Sequence, residues 1–122
     1  MKFRDYFSNN FETGEDHYLS NLRTRYYRAR NDDVKAVVEE LIAQEKGVLK
    51  ANNENFCEMF YECPEYSCTV VVISPRPTET AVDLSVTTYK MLPFGKGIKI
   101  IDRLYKFFDS KLPFKGVSLY KQ

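Results

Sequence analysis

The chain has no tryptophan, one histidine, three cysteines and five glycines in 122 residues. Each scarcity closes a class of chemistry. The single histidine, His17, stands among Glu15, Asp16 and Tyr18 and reads as a surface residue, which removes the commonest base for activating a serine or cysteine nucleophile. The glycines build no Gly-x-Ser-x-Gly elbow, Walker loop or dinucleotide fingerprint. No uninterrupted apolar run approaches the roughly 20 residues of a membrane span. Met1 to Asn10 is aromatic and charged, without the apolar stretch of a secretory signal. Cys57, Cys63 and Cys68 fall within twelve residues, and an odd count without a signal favours reduced thiols in a cytoplasm. A zinc site would want a fourth ligand, and no Cys-x-x-Cys exists. The thiols therefore read as small buried hydrophobes. A redox pair is the alternative, because Cys63 and Cys68 flank the turn-like Pro64-Glu65-Tyr66-Ser67. Neither a metal nor a cofactor is expected.

What the chain does have is two amphipathic helices around a β-rich middle. Asp33 to Lys46 sets Val34, Val37, Val38, Leu41 and Ile42 on one stripe, and Gly95 to Ser110 does the same with Ile98, Ile101, Leu104, Tyr105 and Phe108. Asn31-Asp32-Asp33 is expected to cap the first helix with a side-chain acceptor and Gly47 to stop it. Between the helices, Val48–Ala51, Phe56–Cys63, Ser67–Ser74 and Thr80–Tyr89 read as strands, the third through its run of β-branched residues and the fourth through strict alternation. Leu22–Ala29 reads as a first strand. Pro75-Arg76-Pro77-Thr78 is expected to be a turn, since proline cannot donate to a ladder. A helix with a one-sided apolar stripe needs a sheet beneath it, so the expected fold is a single α+β domain over residues 1–122. It is a two-layer sandwich of mainly antiparallel sheet with both helices on one face, TATA-binding-protein-like or helix-grip-like. Residues 1–21 are expected to be an N-terminal docking segment, with Phe3, Tyr6 and Phe7 spaced as a helical turn, followed by a loop. Residues 114–122 are expected to be a tail.

The charge is near balance, at +1, yet it is polarised. Residues 31–66 hold nine acids against three bases, and residues 90–122 hold eight bases against two acids. If the helices lie side by side, their faces neutralise each other; if not, the asymmetry steers a partner. The near-neutral total argues against nucleic acid, even though Arg23, Arg25, Arg28 and Arg30 interleave with Tyr26 and Tyr27. Membrane binding is not expected either, although Lys96, Lys99, Arg103 and Lys106 form a basic surface ridge at three- and four-residue steps. Gly95-x-Gly97 before a helix has the shape of a phosphate cradle, but a simple turn explains it. Asp83 is the residue that most needs an explanation. It lies in a strand of apolar and hydroxyl residues, and on a core-facing position it would need a partner. Arg23, Arg25 and Arg28 on the first strand are the candidates, and Asp83 with Arg23 and Arg25 is the candidate polar anchor for a ligand.

Leu22-Arg23-Thr24-Arg25-Tyr26-Tyr27, Thr80-Ala81-Val82-Asp83, Ser85-Val86-Thr87-Thr88, Leu92-Pro93-Phe94 and Lys111-Leu112-Pro113-Phe114 together resemble a group of small bacterial cytosolic proteins of unknown function. The run from a helix through three strands to Gly95-Lys96-Gly97-Ile98-Lys99 is more loosely similar to the domain-of-unknown-function 1499 proteins. The resemblance implies one cytosolic domain and no particular chemistry. The sequence alone thus favours a non-catalytic module that binds a partner protein or a small ligand, in the helix–sheet cleft or, as a homodimer, through its basic ridge. An enzyme with a site in that cleft and a weak anionic-surface binder are the alternatives.

Overall fold

A computed structural model describes residues 10–15, 22–89 and 94–119, without the side chains of 56 and 94–96. The docking segment with Phe3, Tyr6 and Phe7, His17 and the Lys96 side chain lie outside the described residues. The described chain forms strands β1 (Asn10–Glu12), β2 (Arg25–Tyr27), β3 (Val48–Asn53), β4 (Glu58–Glu62), β5 (Tyr66–Arg76), β6 (Glu79–Thr88) and β7 (Phe114–Val117), with helices α1 (Asn31–Gln44) and α2 (Phe94–Lys111). The architecture is α+β, and the sheet is open and antiparallel. Its order is β3-β4-β5-β6-β2-β7, and β1 also pairs with β6.

Period-two alternation puts one set of side chains on each face of the sheet. Met59, Val70 and Leu84 sit side by side across β4, β5 and β6, as do Tyr61, Cys68 and Val86. All six are buried, in one cluster with Val34, Val38 and Leu41 of α1 and Ile101, Leu104 and Phe108 of α2. Both helices therefore cover one face. Their charges meet there: Arg103 of α2 pairs with Glu45, just past α1, at 2.6 Å.

Five local expectations are corrected. The Asn31 side chain does not cap α1; it donates to the Val72 carbonyl and reaches the Ser74 hydroxyl, tying the helix start to β5. The left-handed residue ending α1 is Lys46 (φ 59°), not Gly47. Gly47 follows it, donates its N–H to the Ile42 carbonyl, and must be small, since a Cβ would lie 2.9 Å from the Tyr61 ring and 3.2 Å from the Glu62 carbonyl oxygen. This is a Schellman close, with close approach rather than φ selecting the glycine. β5 runs on through Pro75 to Arg76, which pairs with Glu79. The ladder shifts register between Ile73 and Arg76, and such an irregularity is where a strand tolerates proline. Residues 114–117 are an edge strand on β2 rather than a tail, and Asn10–Glu12 is a strand rather than part of a docking turn and loop.

The cysteines are free. Tyr61 stands opposite Cys68, and the Cys63 N–H bonds the Tyr66 carbonyl. Cys63 and Cys68 are therefore diagonal rather than facing, a separation of about 7–8 Å that suits no disulfide. Burial pushes the Cys68 thiol up to about 12, so it is an inert core group.

Candidate functional site

β1 and β2 lie end to end along the same edge of β6. β1 covers Ser85 to Thr87 and β2 covers Thr80 to Val82. Asp83 and Leu84 face the junction between them. There the ladder is completed by side chains. Thr13 and Thr24 both donate to Asp83 Oδ1, each at 2.7 Å. Thr13 also accepts from the Leu84 N–H at 2.9 Å, and its own N–H bonds the Leu84 carbonyl. From the helix side the Tyr105 hydroxyl donates to the Val82 carbonyl at 2.8 Å and lies 3.2 Å from Thr13 Oγ1. The interrupted strand is thus knotted through both faces of the sheet.

Asp83 lies on the face turned away from the helices. Cross-strand rows define that face: Glu58, Val71 and Asp83 in one, and Phe60, Thr69, Ser85 and Glu12 in the next. A cleft of about 460 Å³ opens over these rows, lined by Thr69, Val71, Asp83 and Ser85 with Glu12 and Glu58 at its two sides. Burial holds the Asp83 carboxyl above the usual aspartate range; the two threonine bonds oppose that rise, and the Glu15 charge adds to it. Both bonds reach Oδ1, and among the described residues none reaches Oδ2. The residue is a half-sheltered carboxylate lining the cleft, with one oxygen committed to the fold and the other without a donor among the described residues.

The arginines expected to serve Asp83 are placed otherwise. Arg25 projects on the helix side, pairs with Asp109 of α2 at 2.9 Å and lies over the Phe114 ring, 4.2 Å from its centroid. Tyr27 donates to the same carboxylate at 2.8 Å. Arg23 joins Gly14 in an isolated parallel bridge. Asp83 and Arg25 therefore belong to separate clusters, one on each face. Sequence alternation carries this result, since Asp83 and Val82 must point oppositely and Val82 stands opposite Arg25.

The basic ridge is partly spent inside the fold. Lys99 and Lys106 are exposed, but Arg103 is held by Glu45 and approaches Glu65 at 4.0 Å. Glu45 in turn accepts from the Tyr66 hydroxyl at 2.9 Å, and Tyr66 accepts from Tyr61 at 2.8 Å, because each phenol has one proton to give. Between the helices and the sheet, the buried side chains of the described residues form one hydrophobic cluster. Gly97 is a buried residue within α2, and its missing side chain seats the ring of Phe11; a Cβ there would lie only 2.2 Å from the Phe11 Cζ.

No family model, curated protein or solved structure matches this chain. The site is accordingly read from its own chemistry. Among the described residues no three His, Cys, Asp or Glu side chains are grouped to hold a metal ion. Glu58 and Asp83 are two strands apart, about 10 Å at the backbone, and Glu12 and Glu58 are three strands apart, about 14 Å. Carboxylates so spread suit an extended cation rather than a point charge. Among the described helices none is long and apolar enough to cross a membrane.

Proposed function

We propose that the protein is a non-catalytic binding domain whose ligand lies in the open-face cleft, and that the ligand is a small extended polycation of the polyamine class. The observation that carries this reading is the Asp83 carboxylate, which lines the cleft, is held by two threonines through Oδ1 and has Glu12 and Glu58 at the sides. An amine there gains a charge-assisted bond to an oxygen that has no other donor among the described residues. Thr69 and Ser85 supply neutral hydrogen bonds, and Val71 supplies contact for a methylene chain. A catalytic reading fits less well. Thr13 and Thr24 lie equally near the Asp83 carboxylate, but the Thr13 oxygen already faces the Leu84 N–H and the Tyr105 hydroxyl, which leaves no free lone pair for attack, and Thr24 is buried. An anionic partner on the ridge fits less well too, because Arg103 is already paired.

The test is a titration with spermidine, followed through backbone amide shifts. Saturable shifts at Asp83, Ser85 and Val71, abolished in both Asp83→Asn and Glu58→Gln, support the assignment. Absence of saturable shifts, or shifts indifferent to both substitutions, overturns it.

A further inference from the structure

The cleft is not made by the main sheet alone. Glu12 and Thr13 belong to the β1 segment, while Glu58, Thr69, Val71, Asp83, Leu84 and Ser85 belong to β4, β5 and β6. β1 has three residues and, among the described strands, pairs with β6 alone. Its single buried side chain is Phe11, flanked by exposed Asn10 and Glu12. Phe11 enters the core over Gly97 like a peg into a socket. Beyond Phe11 the fastenings are polar: the Thr13 knot on Asp83 and Leu84, the Ser85–Glu12 and Thr87–Asn10 side-chain bonds, and, past the knot, the Gly14 N–H on the Leu22 carbonyl and the Tyr26 and Ser118 hydroxyls on Glu15. By contrast β5 and β6 share a ladder running from Tyr66 opposite Thr88 to Arg76 opposite Glu79.

We infer that β1 is a releasable strap, pegged by Phe11 and latched by Thr13 on Asp83, which opens independently of the main sheet and whose docking completes the cleft. The energetic reason is local. Few apolar contacts and a short one-sided ladder put a segment at the low end of the opening scale, while β4 to β6 open only with the whole molecule. The strap also brings Glu12 and Glu15 to the side of the sheet that already carries Glu58 and Asp83, so like charges oppose its docking. The consequence for binding rests on the cleft reading above. A ligand held by both Glu12 and Asp83 binds only the docked form, so it stabilises the strap, and the strap's opening weakens the ligand, by the same factor.

Amide hydrogen exchange on the full chain decides it. The Thr13 amide, bonded to the Leu84 carbonyl, is expected to exchange at least about tenfold faster than the amides of Val70 and Cys68 in the same molecule. Phe11→Ala is expected to raise Thr13 exchange further and leave Val70 and Cys68, whose amides face β4, unchanged; Thr13→Val removes the latch while keeping the peg, and is expected to speed the Phe11 amide, which faces β6. Thr13 exchanging at the rate of the core strands, or Phe11→Ala accelerating every strand alike, overturns the strap. Spermidine separates the two proposals. Protection of Thr13 by spermidine, with affinity at least about tenfold weaker in Phe11→Ala, supports the coupling. Spermidine-independent but locally fast exchange leaves the strap standing and removes the polyamine reading, and an undiminished affinity in Phe11→Ala overturns the coupling.

Discussion

Val70 and Val71 are neighbours in one strand and live under different forces. Val70 is fully buried between Met59 and Leu84 beneath the two helices. Val71 is half-covered between Glu58 and Asp83 on the open face. The helix side is held by close packing, in which every methylene counts. The open side is held by bonds between hydroxyls and carboxylates: Thr13 and Thr24 on Asp83, Ser85 on Glu12 and Thr87 on Asn10. A packed face tolerates little change in shape. A polar face tolerates change except where a buried donor loses its acceptor, and that difference is what leaves it free to serve a ligand.

The sharpest way to break the comparison is to cut the same kind of atoms from each side. Leu84→Ala is expected to cost about 2–5 kcal/mol in urea unfolding, from lost burial and the cavity left behind. Val71→Ala is expected to cost under about 1 kcal/mol, as a half-exposed position does. Equal losses would mean that the open face is a second core.

Next in size is the polar line at the helix flank. Glu45 has only 8 % of its side chain exposed, whereas its partner Arg103 has 44 %. Glu45→Ala strands the Tyr66 hydroxyl, itself fully buried, and is expected to cost about 1–3 kcal/mol. Arg103→Ala removes an exposed cation and is expected to cost about 1 kcal/mol or less. A double-mutant cycle separates the two contributions. Arg103→Ala costing as much as Glu45→Ala would show that the ion pair, rather than the tyrosine bond, carries the line.

The helix face was legible because its evidence is periodic. The stripes of α1 and α2 and the alternation in β6 are one-dimensional records of a buried face, and they place both helices on the same side. The open face left a fainter record. β1 and β2 are three residues each, too short for periodicity, and β7 follows a Pro113 that reads as an ending. Their pairing on β6 and β2 is set by tertiary contact, and so is the junction that explains Asp83. Alternation alone places Asp83 opposite to Val82, but only the fold reveals Thr13 and Thr24 beside it. Arg25 was the wrong partner because the pleat of β2 sends it to the other face.

A smaller effect tests the knot directly. Thr24→Val preserves shape and removes one of the two donors to Asp83, with an expected cost of about 1 kcal/mol. Ser85→Ala, whose bond to Glu12 is exposed and 3.3 Å long, is expected to cost under about 0.5 kcal/mol. A Thr24→Val cost as small as that of Ser85→Ala would mean that the junction is held by its backbone bonds alone.

The smallest effect is a slope rather than a loss. Asp83 has its carboxyl held above the usual range, chiefly by burial. Such a group keeps its proton to higher pH when folded than when unfolded. Between the unfolded and folded values the native state binds more protons, so unfolding free energy falls as pH rises through that window. The contribution of Asp83 is fully present below the ordinary aspartate value near 4 and is lost as pH passes its raised folded value. The measurement is made as a difference, so that slopes common to the two chains cancel. Stability against pH for Asp83→Asn, compared with the parent chain from about pH 3 to 7, is expected to lack this downward component. The open-face reading predicts in addition that spermidine restores stability to the parent at the upper end of that range and not to the variant, because the cation favours the ionised carboxylate. Parallel pH curves for the two chains would show that Asp83 titrates alike in both states, and the cleft would then hold no sheltered charge to offer a ligand.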